Sequence, residues 1–174
     1  YTAGFDTLAT RLREIAVQNC GGSVTVVKQE VDPAGNVIDA LAGNWTFTAT
    51  TPGNWIKTSG ANAGSLALTT PATGAGEGAV NFGIDLTGAS GGRPVTIAET
   101  VRPGFTPDSV TCTGGTPSGP PENFTVTVVP NAIVSCVVTN KQASGKLTLK
   151  KVVNNGTTGA TTANTAWTLT ATGP

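Results

Sequence analysis

The chain has 174 residues with 10 acidic and 10 basic side chains, no histidine, and charged residues at only 11%. Zero net charge offers no electrostatic footprint for nucleic acid or an anionic membrane, and no run of about 18 apolar residues marks a membrane span. Abundant Thr, Val, Gly and Ala, with Gly and Pro at about a fifth of the chain, read as turn-rich β structure rather than disorder.

Residues 5–19 carry the one helical pattern. Phe5, Leu8, Leu12 and Ile15 recur at helical spacing beside Ala9 and Ala16, Asp6 or Thr7 can cap the start, and Gly21-Gly22 can end it. Its single apolar stripe needs a partner, either the sheet structure that follows or a preceding domain. Leu8–Ala16 followed by Asn19-Cys20-Gly21-Gly22 resembles the C-terminal helix of a von Willebrand factor A domain, so residues 1–22 are assigned to such a helix. The Asp-x-Ser-x-Ser metal loop of that family is absent, and the resemblance brings no metal site.

From residue 23 the period becomes two. Strands are expected at about 23–31, 44–50, 65–70, 79–86, 94–101, 108–113, 123–129 and 132–140. Inward positions would be Trp45 and Phe47; Leu66 and Leu68; Val80, Phe82, Ile84 and Leu86; Phe124, Val126 and Val128. Between them, Asp32-Pro33-Ala34-Gly35-Asn36, Gly88–Gly92 and Thr116–Pro121 are turn chemistry. The expected fold class is all-β, a Greek-key β-sandwich over 23–141 with one N-terminal helix.

Three inward rows end on a polar side chain. Lys28 follows Val24 and Val26, Glu99 follows Val95 and Ile97, and Asn140 follows Val134, Cys136 and Val138. A lone buried ammonium costs several kcal/mol, so it must lose its proton, find a carboxylate or react. We read the three as one buried triad. Burial favours a neutral Lys28 amine and a protonated Glu99, which could donate to the Asn140 amide oxygen while the amine attacks its carbon and expels ammonia. The competing expectation has Lys28 reaching the rim to pair with Glu99 and Asn140 capping a turn. Asn131 is a second asparagine nearby, but it precedes its strand.

Val24–Lys28, Val95–Glu99 and Val137–Asn140 resemble the first, penultimate and last strand motifs of Cna-B-type (SpaA-like, prealbumin-like) domains over residues 23–141. Such domains build the stalks of Gram-positive pili and surface adhesins. The resemblance implies a spontaneous isopeptide bond between Lys28 and Asn140, with Glu99 as the proton shuttle.

Three cysteines remain to be placed. Lack of histidine and of C-x-x-C argues against zinc. A Cys112–Cys136 disulfide is expected, implying an oxidising setting, with two buried free thiols as the alternative. Cys20 is left odd, its partner expected upstream of residue 1.

A repeat then begins beyond the linker at 142–145. Leu147–Lys151 reproduces Val24–Lys28, with Lys151 in the place of Lys28, and Ala166–Thr172 reproduces Asn44–Thr50. Residues 146–174 therefore read as the start of a second Cna-B-like repeat, poorly ordered or completed by another chain. Gly74–Gly78 is set aside as a phosphate loop because a strand pattern follows it.

The expected function is a structural stalk domain of a bacterial cell-surface adhesin or pilus. The alternative is an extracellular module binding a sugar or matrix protein through loops near 51–64 and 71–79, with Trp55 as anchor; a third is an enzyme accessory domain. Absence of histidine and of an activated nucleophile argues against turnover, so cross-linking would be self-modification. No cofactor or metal is expected. Partners would be neighbouring repeats, pilin subunits or an unspecified surface ligand, and the location the cell-wall-associated exterior of a Gram-positive bacterium.

Overall fold

The computed structural model describes residues 21–145, 147–154, 156, 157, 159, 163, 165 and 167–172. The helix expected over 5–19, its von Willebrand-type resemblance and Cys20 lie outside them. Runs of alternating β-branched and aromatic residues form nine strands: β1 (Gly21–Val31), β2 (Val37–Asp39), β3 (Thr46–Thr50), β4 (Ser65–Thr69), β5 (Ala79–Asp85), β6 (Arg93–Glu99), β7 (Phe105–Thr113), β8 (Asn123–Val128) and β9 (Ile133–Gln142).

They make a two-sheet sandwich. In one sheet β1 is central, with β9 parallel to it on one side and β5 then β2 antiparallel on the other; β7 borders β9. The second sheet runs β4-β3-β6-β8, all antiparallel. Val24, Val26, Phe82 and Val134 of the first sheet meet Phe47, Ile97, Phe124 and Val126 of the second in one buried core. The expected inward rows all reach this core, Leu66 and Leu68 only half-buried.

Several boundaries differ from expectation for local reasons. Gly21 and Gly22 belong to β1, paired with Asp85 and Ile84, instead of closing a helix at residue 22. A Cβ on Gly22 would lie 2.4 Å from Val128 Cγ1, so only glycine lets the strand pass there. Asn44 adopts φ 63°, which delays β3 to Thr46. Strand β7 starts at Phe105, ahead of expectation, because a bulge between Pro107 and Ser109 absorbs the proline, which has no N–H for the ladder. Strand β2 was not expected: its three residues are all exposed and leave no buried alternation to read. The hairpin before it rests on Asp32, whose carboxylate accepts the Ala34 and Asn36 backbone N–H groups at 2.8 Å each.

The handover along β1 fixes the position of Lys28. Strand β5 pairs with Gly21–Val27 and β2 begins pairing at Glu30. In the gap, the Lys28 N–H donates to the Gly78 carbonyl at 2.8 Å, and the Lys28 carbonyl accepts the Ala42 N–H at 3.0 Å. The glycine-rich turn before β5 thus serves to hold the Lys28 backbone. Gly78 has φ +64°, and a Cβ there would stand 2.3 Å from the Leu41 carbonyl carbon.

Cys112 and Cys136, directly opposed on β7 and β9, form a disulfide. The chain divides into two compact units, Tyr1–Ala143 and Ser144–Pro174. No strand forms among the described residues of the second unit. Its repeated segments find no ladder partners there, and Leu147, Val152, Trp167 and Leu169 are exposed. Within it, the Lys151 ammonium lies 4.3 Å from the centroid of the Trp167 ring.

Two stability tests follow from this packing. Gly78→Ala combines a left-handed φ with backbone overlap and should lower unfolding free energy by at least about 2 kcal/mol in a urea titration. Cys112→Ser with Cys136→Ser opens a loop of about 25 residues, and thermal unfolding should show a loss of about 3 kcal/mol relative to the oxidised protein.

Candidate functional site

Lys28 and Asn140 stand on neighbouring parallel strands. The β1–β9 register pairs Lys28 with Val138 and Glu30 with Asn140, so Lys28 and Asn140 share the core-facing side, one step apart on the diagonal. Glu99 closes β6, opposite Phe47 of β3, and reaches across from the other sheet. Lys28 and Asn140 are each 0% exposed, and the Glu99 side chain is 1% exposed. The rim position considered for Lys28 is therefore not adopted.

Glu99 touches both other members of the group. Its Oε1 lies 2.7 Å from Lys28 Nζ, and its Oε2 accepts a hydrogen bond from Asn140 Nδ2 at 2.8 Å. The contact with lysine has ion-pair distance without well-directed hydrogen-bond geometry, and Asn140 Oδ1 has no hydrogen-bond partner. The expected donation from Glu99 to the amide oxygen is thus replaced by contact with the amide nitrogen. Burial is the largest influence on Lys28 and brings its pKa down to about 8; contact with Glu99 and the charge of Glu30 pull the other way.

An aromatic and charged shell that the sequence reading did not assign surrounds the amine. Lys28 Nζ sits 4.3 Å from the Trp45 ring centroid. The Trp45 indole N–H donates to Glu30 Oε1 at 2.8 Å, Arg102 approaches the same carboxylate oxygen at 3.8 Å, and Phe105 meets the indole edge-on at 5.3 Å. A signal for Glu30 was present, since it continues the face of Val24, Val26 and Lys28.

The other candidates lie apart from this cluster. Asn131 is exposed in a turn with φ 62°. Trp55 is half-buried against the core, and the Arg93 guanidinium covers its ring at 3.3 Å. Arg93 is itself tied down, donating to the Asp85 and Thr87 carbonyls at 2.9 and 2.8 Å. Trp55 therefore closes an edge of the sandwich instead of standing free as an anchor. Among the described residues no group of three or more His, Cys, Asp or Glu side chains could hold a metal, and no helix is long and apolar enough to cross a membrane.

The arrangement brings an amine, a carboxyl group and a carboxamide into one dry site. Comparison with known proteins matches residues 56–142 to the SpaA-type prealbumin-like fold domain, and residues 142–174 to a second domain of that description. None of the curated proteins matches the chain. Among solved structures, a Mobiluncus mulieris bacterial adhesin containing intramolecular disulfide, isopeptide and ester bond cross-links is 18% identical, with TM-score 0.42, covering 71% of this chain and 42% of that one. The major pilin of Streptococcus pyogenes is 14% identical, with TM-score 0.33, covering 70% of this chain and 48% of that one. The chain thus spans less than half the length of either structure. The first family match covers half of the sequence and includes Glu99 and Asn140, and the protein belongs to the SpaA-type prealbumin-like fold domains.

Proposed function

We propose that residues 23–141 are a structural stalk domain of a Gram-positive surface adhesin or pilus, locked by an isopeptide bond between Lys28 and Asn140. The observation that carries this reading is the double contact of Glu99. One carboxyl group touches the nitrogen that must lose a proton and the nitrogen that must gain one.

Transfer of a proton from the Lys28 ammonium to Glu99 turns the ion pair into a neutral amine and a neutral acid, and burial pushes Lys28 toward the neutral amine. The amine lone pair attacks Asn140 Cγ, and the carbonyl π pair moves onto Oδ1. Glu99 gives its proton to Nδ2 and takes one from the attacking nitrogen. Collapse of the carbonyl expels ammonia and leaves a secondary amide. One amine and one carboxamide become one amide and one ammonia, once per molecule, with no turnover.

The covalent tie would close a loop of about 110 residues, worth roughly 4–5 kcal/mol by chain-entropy arithmetic. The disulfide fits an oxidising exterior, consistent with a cell-wall-associated location. Residues 146–174 would begin a neighbouring repeat of the same kind, and further repeats or pilin subunits would be the partners. With Trp55 held under Arg93, no observation favours the ligand-binding alternative.

Intact mass of the folded, reduced protein tests the bond: wild type should be lighter than its sequence by one ammonia, and Glu99→Ala should recover the full mass. A folded wild type at full mass defeats the reading. The pH profile tests the shared proton. Ion pair and neutral pair hold the same number of protons, so the cross-linking rate should be level near neutrality. It should fall as pH rises through about 8, where the pair loses the proton that Glu99 hands to the leaving nitrogen. A rate that climbs through that range would assign the limit to free amine instead.

A further inference from the structure

Trp45 is the largest fully buried side chain in the domain, and its ring face is turned to the Lys28 amine. Four contacts fix that ring. Its N–H is bonded to Glu30, Arg102 holds Glu30 and lies 5.1 Å over the ring, Phe105 packs on it edge-on, and Lys28 occupies the inner side. Lys28 Nζ has no well-directed hydrogen bond, and both the Glu99 carboxylate and the indole face lie against it. A ring at this distance attracts a positive nitrogen through its quadrupole, and more strongly where water is excluded.

The second unit repeats the pairing without the acid. Lys151 lies 4.3 Å from the Trp167 centroid, the same separation as Lys28 from Trp45, and residues 144–174 contain no Asp or Glu. Lysine over tryptophan is therefore a contact that both copies of the repeated segments make, the second with no Asp or Glu among its own residues.

We infer that Trp45 is a positioning residue of the cross-linking site: held by Glu30, its face keeps the Lys28 amine at Glu99 and supports the positive charge on the attacking nitrogen. This rests on the cross-link reading above. When Nζ bonds to Asn140 Cγ, that nitrogen is positive until its proton passes to Glu99, and the indole face lies where the charge develops. Trp45 takes no part in bond making and holds no proton in the reaction.

The test follows cross-link formation by intact mass after cell-free synthesis of the full chain. Trp45→Leu should slow it about tenfold, and Trp45→Phe, which keeps a ring face, should recover part of that rate. Glu30→Ala, which frees the indole, should slow it several-fold, and Glu30→Gln, which keeps an acceptor, should restore most of the loss. The same substitutions in an Asn140→Ala background, where no bond forms, report the effect on thermal stability alone. Rates that follow stability, with no recovery by Phe or Gln, would overturn the proposal and leave Trp45 a core residue. So would wild-type rates in Trp45→Phe and Glu30→Ala, the pair that decides if Trp45→Leu does not fold. A wild type lighter by one ammonia with unaffected variants defeats this inference alone; a full-mass wild type defeats the cross-link reading and this one with it.

Discussion

An ammonium group taken wholly out of water at position 28 sets the terms for the surrounding structure. Its desolvation costs several kcal/mol, and a nearby carboxylate returns that only in part. An apolar side chain of similar size would stabilise a sandwich core at least as well. A buried lysine, glutamate and asparagine are therefore poorly explained as contributors to stability. On the reading proposed above they are reactants, held together by a fold whose stability comes from elsewhere, namely the valine, isoleucine and phenylalanine rows on both sheets.

The topology gives the site a mechanical meaning. β1 and β9 lie side by side and parallel, in register from Ser23 with Ile133 to Val31 with Lys141. Tension applied at the start of β1 and the end of β9 would slide these strands along each other, loading their hydrogen bonds in shear. A bond from Lys28 to Asn140 would lie across that sliding plane. Load would enter through residues before 28 and leave through residues after 140, and the chain between them would carry little. With Lys28 on β1 and Asn140 on β9, the proposed bond would join the two strands nearest the ends of the domain, where a stalk of the kind proposed would carry its load.

Much of this was legible in the sequence because the period-two pattern is strong where one face is buried. Val24, Val26 and Lys28 announce a strand with a misplaced charge, and Val134, Cys136, Val138 and Asn140 announce one that ends on an inward-facing carboxamide. What stayed hidden was structure without such a pattern. The residues of β2 are all exposed, so nothing in their alternation marks a strand; turn chemistry at Asp32 and pairing with Glu30 and Val31 create it. Gly21 and Gly22 look like a helix stop because glycine is read locally, whereas Gly22 clears Val128 and Leu86 and Gly21 clears the Ile84 carbonyl and Lys57. The shell around Lys28 joins Glu30, Trp45, Arg102 and Phe105, whose meeting depends on the loop before β7, and spacing alone does not disclose it.

Strand β9 carries both a cysteine of the disulfide and the asparagine of the proposed cross-link. Cys136 pairs with Val26 on one side and with Cys112 on the other, where the disulfide fixes it. A slip of one residue in β9 would turn Asn140 away from the core and bring Thr139 in its place. Cys136 lies on the same face as Asn140 and four residues before it, so a bond at Cys136 that opposes slippage also secures the face that Asn140 presents. The bulge between Pro107 and Ser109 falls beside Asn140, where the β7 ladder is weakest, and the disulfide stands on the regular side of that irregularity. On this geometry the disulfide acts on the triad through register. It opposes the one-residue slip that would take Asn140 away from Lys28 and Glu99.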